Sequence, residues 1–188
     1  MFKPIGYLIL SLLLSACNSG NKAPSVQLAD LSFKSFFADS KSGNGDVYCL
    51  QGTGYFRAPR TSGADSLVVA WTASHLNAKV IPVSSFGPIS TTGSNGRMIY
   101  CWLVDGADTI NNYLVKQGAC PGGTMMRPET NDEMSPATKE IYSKTDHSGV
   151  KVYIGQQEYK QFIEQIKNAE IYAREKKAGI WAKTSTEE

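Results

Sequence analysis

The chain has little net charge, little histidine, no cysteine spacing that suits zinc and no apolar run long enough to cross a bilayer. Its 188 residues carry 19 Lys and Arg against 17 Asp and Glu, a formal net charge of +2, so no strong basic field argues for a nucleic-acid partner. The only histidines are His75 and His147, which leaves few candidates for a base working near neutral pH. A lone histidine on a helix or in a polar loop is more often structural or exposed than catalytic. The four cysteines, Cys17, Cys49, Cys101 and Cys120, fit no zinc-ligand pattern. The apolar stretch at residues 5–14, interrupted by Gly6, Tyr7 and Ser11, is about half the length of the roughly 20 residues that a spanning helix needs.

That short stretch has another use. Lys3 gives a positive start, the apolar core follows, and Leu14-Ser15-Ala16-Cys17 is a small-residue cleavage site ending in cysteine. The pattern is that of a bacterial lipoprotein signal: residues 1–16 are removed and Cys17 is acylated, so the mature chain hangs from a membrane. Asn18 rather than Asp after the lipidated cysteine favours, by analogy with enteric lipoproteins, the periplasmic face of the outer membrane. Residues 17–30 are rich in Gly, Ser, Asn, Pro and Lys and form a tether rather than a core. What remains, about 160 residues, suits one domain, with a frayed acidic tail at residues 184–188. Loss of Lys3 leaves the mature chain near +1. In an oxidising periplasm two of Cys49, Cys101 and Cys120 are expected to pair; the sequence leaves all three pairings open, as well as three buried thiols.

The domain is organised around residues 95–118. Residues 98–104 are β-branched, aromatic and long apolar side chains, a buried strand, and Asp105-Gly106 is a tight turn. Asp108 or Thr109 then caps a helix with Ile110, Tyr113 and Leu114 at helical spacing, and Gly118 stands where a left-handed C-terminal cap needs a residue without Cβ. Before this stretch the pattern predicts a first strand at 31–37, a turn at Asn44-Gly45, short strands at 46–50 and 55–57, a helix at 67–76 and a strand at 80–83. After it come a short helix at 136–144, a strand-like 150–154 and an amphipathic helix over 157–177.

Gly96-Arg97, an apolar strand, Asp105-Gly106 and then Asn111-x-x-Leu114-Val115-x-x-Gly118 together resemble the fifth strand and second helix of the staphylococcal-nuclease-like (thermonuclease) family. Residues 76–83 resemble its passage from first helix to fourth strand. Ala169-Glu170-x-x-Ala173-Arg174 with Gly179-Ile180-Trp181 is similar to its last helix and closing motif. The resemblance covers roughly residues 44–182 and implies a mainly β domain with helices: a five-stranded OB barrel carrying three helices. The chain departs most from the family at residues 119–155, an insertion of about 35 residues holding Pro121-Gly122-Gly123 and Met125-Met126; loops this long are usually functional or disordered. Met125-Met126 is either a partner-binding patch or simply buried.

In that family phosphodiester hydrolysis uses a calcium ion held partly by aspartates, a glutamate that activates water, and two arginines on the phosphoryl oxygens. The resemblance carries over Asp46 as a metal-site acid, with Asn44 in place of its partner, and Arg57 and Arg97 as the two arginines. Arg60, after Pro59, stands where the glutamate would be, which exchanges a base for a permanent cation. Either Arg57 and Arg97 form a phosphate-binding pair beside Asp46, or they are solvated strand-end arginines and Asp46 a turn residue. Trp71, Trp102 and Trp181 read as core rather than as base-stacking platforms. Three functions follow, in this order. The first is a non-catalytic structural or interaction subunit of an envelope assembly, such as secretion or DNA-transfer machinery, bound to the membrane through its lipid, with protein partners and no cofactor. The second is a calcium-dependent periplasmic nuclease working without its general base, a loss worth roughly 10²- to 10⁴-fold in rate. The third is a single-stranded nucleic-acid binding module, which the low net charge does not favour.

Overall fold

The computed structural model describes residues 22–50, 60–89, 95–122, 127–143 and 149–182. Within them the chain runs β1 (Leu31–Phe33), β2 (Phe37–Ser40), β3 (Val47–Leu50), α1 (Ala64–Ser74), β4 (Lys79–Phe86), β5 (Met98–Asp105), β6 (Asp108–Thr109), α2 (Ile110–Lys116), α3 (Pro136–Ser143), β7 (Lys151–Val152) and α4 (Gln156–Glu175). Single 3-10 turns lie at Leu28–Asp30 and Gly179–Trp181. The fold is mixed α and β around a seven-stranded sheet of order β1-β2-β3-β5-β4-β7, with β6 on β5. β3 and β5 run parallel, and the other neighbours are antiparallel.

The sheet curls strongly. β1 and β4 lie four strand spacings apart in this order, about 19 Å if the sheet were flat, yet Gln27, just before β1, bridges Lys79 at the start of β4. Parallel register sets Tyr48 beside Ile99 and Leu50 beside Cys101, so these four side chains share a face. They are buried with Leu103, Val83 and Phe36 in the main core. The opposite face of β5 is covered by α4, where Trp102 stacks on Phe162 with ring centroids 4.1 Å apart. Burial on both faces is why β5 is apolar without alternation.

The expected first strand at 31–37 is a hairpin instead. Ser35 Oγ accepts the Phe37 N–H at 3.2 Å, turning the chain so that Phe33 pairs with Ala38 and Phe36 points into the core. Residues 47–50 are therefore the third strand of the sheet rather than the second; the expected strand at 55–57 lies outside the described residues. α1 begins earlier than the apolar spacing indicates, at Ala64. β4 is longer than 80–83, and its register shifts between Pro82 and Ser84, a bulge that accommodates a residue with no N–H to give the ladder.

α2 starts as its sequence implies: Thr109 Oγ1 accepts the Asn112 N–H at 3.1 Å. It ends at Gly118, whose φ is +64, in contact with a second left-handed glycine, Gly179, at φ +53. A Cβ on Gly118 would lie 2.1 Å from the Ala178 carbonyl oxygen, and one on Gly179 2.1 Å from the Gly118 oxygen. The Ile180 N–H donates to Gly118 O at 2.9 Å. Two glycines 61 positions apart in the chain thus let the ends of α2 and α4 meet backbone to backbone.

The 119–155 segment is anchored rather than loose at its described base. Glu170 of α4 accepts the Gly122 N–H at 3.0 Å. Arg127, with its side chain 2% exposed, pairs with Glu133 at 2.6 Å and donates to Pro128 O. Glu133 also accepts the Thr130 N–H, and its carboxyl is held below the usual range chiefly by the Arg127 hydrogen bond. Among the described residues no helix is long and apolar enough to cross a membrane.

Candidate functional site

Two residues marked by the sequence, Asp46 and Arg97, come together because β3 and β5 start in parallel register, Val47 beside Met98. Asp46 Oδ1 accepts the backbone N–H of Arg97 at 2.9 Å, and its Oδ2 accepts the Asn44 side-chain amide at 2.8 Å. The Asn44 Oδ1 in turn accepts the Asp46 N–H at 3.0 Å, and the Arg97 carbonyl accepts from Val47. At Gly96 a Cβ would fall 2.0 Å from the Gly45 oxygen, so only glycine lets the two strand starts approach this closely. Asn44 at this position is a donor to the carboxylate; a second aspartate at 2.8 Å would repel it. The carboxylate is thus a clasp between strand ends.

The partly buried Arg97 guanidinium is engaged by the protein. Its Nε donates to Ser85 Oγ at 3.0 Å, Nη1 to Gly87 O at 3.4 Å, and Nη2 to Gly149 O. All three acceptors are neutral, and among the described residues no carboxylate is bonded to the guanidinium. Ser85, 1% exposed, also meets the Tyr153 hydroxyl at 2.7 Å, while the Tyr153 N–H donates to Val83 O at 2.9 Å. Residues 149–153 therefore reach the Arg97 fork through Gly149 and add β7 to the edge of β4. Burial first, and then the nearby Asp46, push the Tyr48 hydroxyl up to about 12, so it supplies no base near neutral pH.

Arg60 occupies a separate place. Its guanidinium lies over the Phe36 ring, 3.9 Å from the centroid, and its positive charge favours the thiolates of Cys49 and Cys120. Burial outweighs that charge and pushes both thiols up to about 12; Cys101, fully enclosed, is raised well above the ordinary thiol value by burial first and by Cys49 second. All three are buried free thiols. Cys49 pairs with Tyr100 and Leu50 with Cys101 across β3 and β5, so Cys49 and Cys101 point to opposite faces of the sheet.

No family model matches the chain, and no curated protein sequence matches it.

Of the remaining candidates, His75 caps the end of α1. Its Nδ1 lies 2.9 Å from both Trp71 O and Ser74 Oγ, and its ring stacks on Trp71 at 4.0 Å. Asp65 is exposed in the first turn of α1. Trp71 and Trp102 are in the core, whereas Trp181 is only partly buried beneath the Arg174 guanidinium, 3.7 Å from its ring. Arg57, Cys17, His147 and Met125-Met126 lie outside the described residues. Among the described residues no three His, Cys, Asp or Glu side chains gather as a metal site would need.

Asn111 was marked in the sequence only as part of the family motif, with no role of its own. Fully buried, it accepts the Leu103 N–H at 3.3 Å and donates to Cys101 O at 3.4 Å. The described β3 ladder stops at Leu50 beside Cys101, and the Asn111 amide continues it as a surrogate strand. A polar residue inside an otherwise apolar helical stripe was the available signal.

Proposed function

We propose that the chain is a lipid-anchored envelope protein whose nuclease-like OB barrel has lost catalysis and acts as a structural or interaction subunit. The observation that carries this reading is the occupation of Asp46 and Arg97 by intramolecular partners. A carboxylate engaged by an amide and a backbone N–H, beside an arginine bonded to Ser85, Gly87 and Gly149, offers neither a free metal ligand nor an open phosphate fork. With Arg60 in the glutamate's position no described carboxylate stands ready to deprotonate water. The barrel part of the reading is supported by the order β1-β2-β3-β5-β4 together with the Gln27–Lys79 bridge, which brings the segment before β1 onto the start of β4.

The interaction part rests on residues 119–155. An ion pair between buried Arg127 and surface Glu133 fixes the base of this segment. Beyond it stands α3, whose Ile141 is 64% exposed. Ser135 Oγ accepts the Thr138 N–H at 3.1 Å and Pro136 opens the helix, so α3 has its own start signals. The test has two arms. Cys17→Ala is expected to leave the membrane fraction, since stable anchoring needs the full acylated group. Ile141→Asp with Lys139→Glu, on the intact chain, is expected to lose partners in pull-downs from envelope extracts without a change in melting. An unchanged membrane fraction for Cys17→Ala contradicts the anchor, and unchanged recovery contradicts the interaction role.

A further inference from the structure

We propose that Arg60 is the receptor for a small oxyanion, a phosphate or carboxylate group held by the outer edge of its guanidinium. The inference does not depend on the chain lacking catalysis. Arg60 is half-buried, one face of its guanidinium is seated on Phe36 at 3.9 Å, and its Nε is fully buried with no acceptor. The two terminal nitrogens have no acceptor among the described residues either, and unlike Nε they are not fully enclosed. The group is therefore fixed by its stem and one face, with its two-nitrogen edge left open.

The carboxylate that acts with Arg60 on the Cys120 thiol is Glu170, and it is engaged by Arg174 and by the Gly122 N–H. No Asp or Glu occurs between Asp46 and Asp65. The Asp46 carboxylate is spent on Asn44 and the Arg97 backbone, and no described carboxylate is bonded to Arg60. Among the described residues its neighbours include the Phe36 ring and two thiols on which its charge acts, Cys49 and Cys120, neutral at physiological pH. A half-buried cation with no paired anion is costly. A planar guanidinium whose free edge carries two parallel N–H groups matches an oxyanion two bonds at a time. The aromatic seat and buried Nε restrict its rotamers in advance, so little further ordering is needed on binding.

The test is calorimetric titration of the full chain, purified in detergent, with inorganic phosphate and separately with acetate, each against chloride at matched ionic strength. One saturable site is expected, with a rise in Tm of roughly 3–6 °C at tenfold excess over Kd. Tighter binding of phosphate or of acetate names the class of oxyanion. Arg60→Gln is expected to abolish the site, and Arg60→Lys, which keeps the charge and loses the planar edge, to weaken it about tenfold or more. If Arg60→Gln does not fold, the Nε–H resonance of Arg60 in the unaltered protein reports instead: it should shift along a saturation curve with phosphate. Absence of saturable binding in the unaltered protein, or binding that survives Arg60→Gln, means that the arginine merely reaches to water and overturns the proposal.

Discussion

Replacing Arg97 with alanine separates a structural arginine from a spare one. The substitution removes donors from Ser85 Oγ, Gly87 O and Gly149 O. It leaves the clasp untouched, because Asp46 binds the backbone N–H of residue 97. Hydrogen bonds from a charged donor are worth about 1.5–3 kcal/mol each. Three at the lower bound give about 4.5 kcal/mol, and rehydration of the half-exposed carbonyls returns part of it, for an expected loss of about 3 kcal/mol. A solvated strand-end arginine would cost within about 0.5 kcal/mol. Urea unfolding of the full chain, with m held in common, distinguishes these values. The corresponding fall in Tm is roughly 6–12 °C. Arg97→Lys keeps one donor nitrogen in place of the fork and should lose about 2 kcal/mol. A loss below about 0.5 kcal/mol for Arg97→Ala would refute the reasoning and return Arg97 to the set of free phosphate ligands.

Asn111→Leu, similar in size but unable to bond, leaves the buried Leu103 N–H and Cys101 carbonyl without their partner; a destabilisation of about 2–4 kcal/mol is expected from urea melts, and a neutral result would show that the amide is dispensable. Cys49 and Cys120, both raised to about 12, keep their protons in the folded chain at pH values where the unfolded chain has lost them. The unfolded state then binds fewer protons, so stability present below the ordinary thiol value is lost as pH rises from about 9 toward 12, by up to about 1.4 kcal/mol per pH unit for each thiol. Alkaline melting curves check this. In a Cys17→Ser background at pH 8, the three thiols should resist alkylation until the protein is unfolded, and ready labelling of the native chain would contradict their burial.

Local and covalent-neighbour signals carried into the structure best. Thr109 caps α2 and Gly118 ends it because those requirements are set within one turn of helix. The apolar run at 98–104 is β5 because both its faces are covered. Gly179 was recognisable as part of a motif, but its physical reason, close approach to Gly118, needed the fold. The hairpin at 31–40 was hidden because a single Ser35 hydroxyl turns a stretch whose apolar residues read equally well as one strand. The candidate site was half legible. The resemblance marked Asp46 and Arg97, and parallel β3 and β5 bring them side by side, but what Arg97 bonds to is decided by Gly149, 52 positions away. A one-dimensional pattern holds no trace of that partner. Arg127 escaped notice for a similar reason, since neither its burial nor its pairing with Glu133 is marked by any local pattern.

The central proposal is that this domain does not cleave phosphodiester bonds, and calcium-dependent hydrolysis tests it most directly. The purified full chain is incubated with single-stranded and double-stranded DNA and with RNA in millimolar calcium, and acid-soluble nucleotide is followed over time. With Asp46 held by Asn44 and the Arg97 backbone, and the Arg97 fork bonded to Ser85, Gly87 and Gly149, release should equal that in the presence of a chelator. Calcium-dependent release that disappears in Arg57→Ala would contradict the account and make the protein a nuclease.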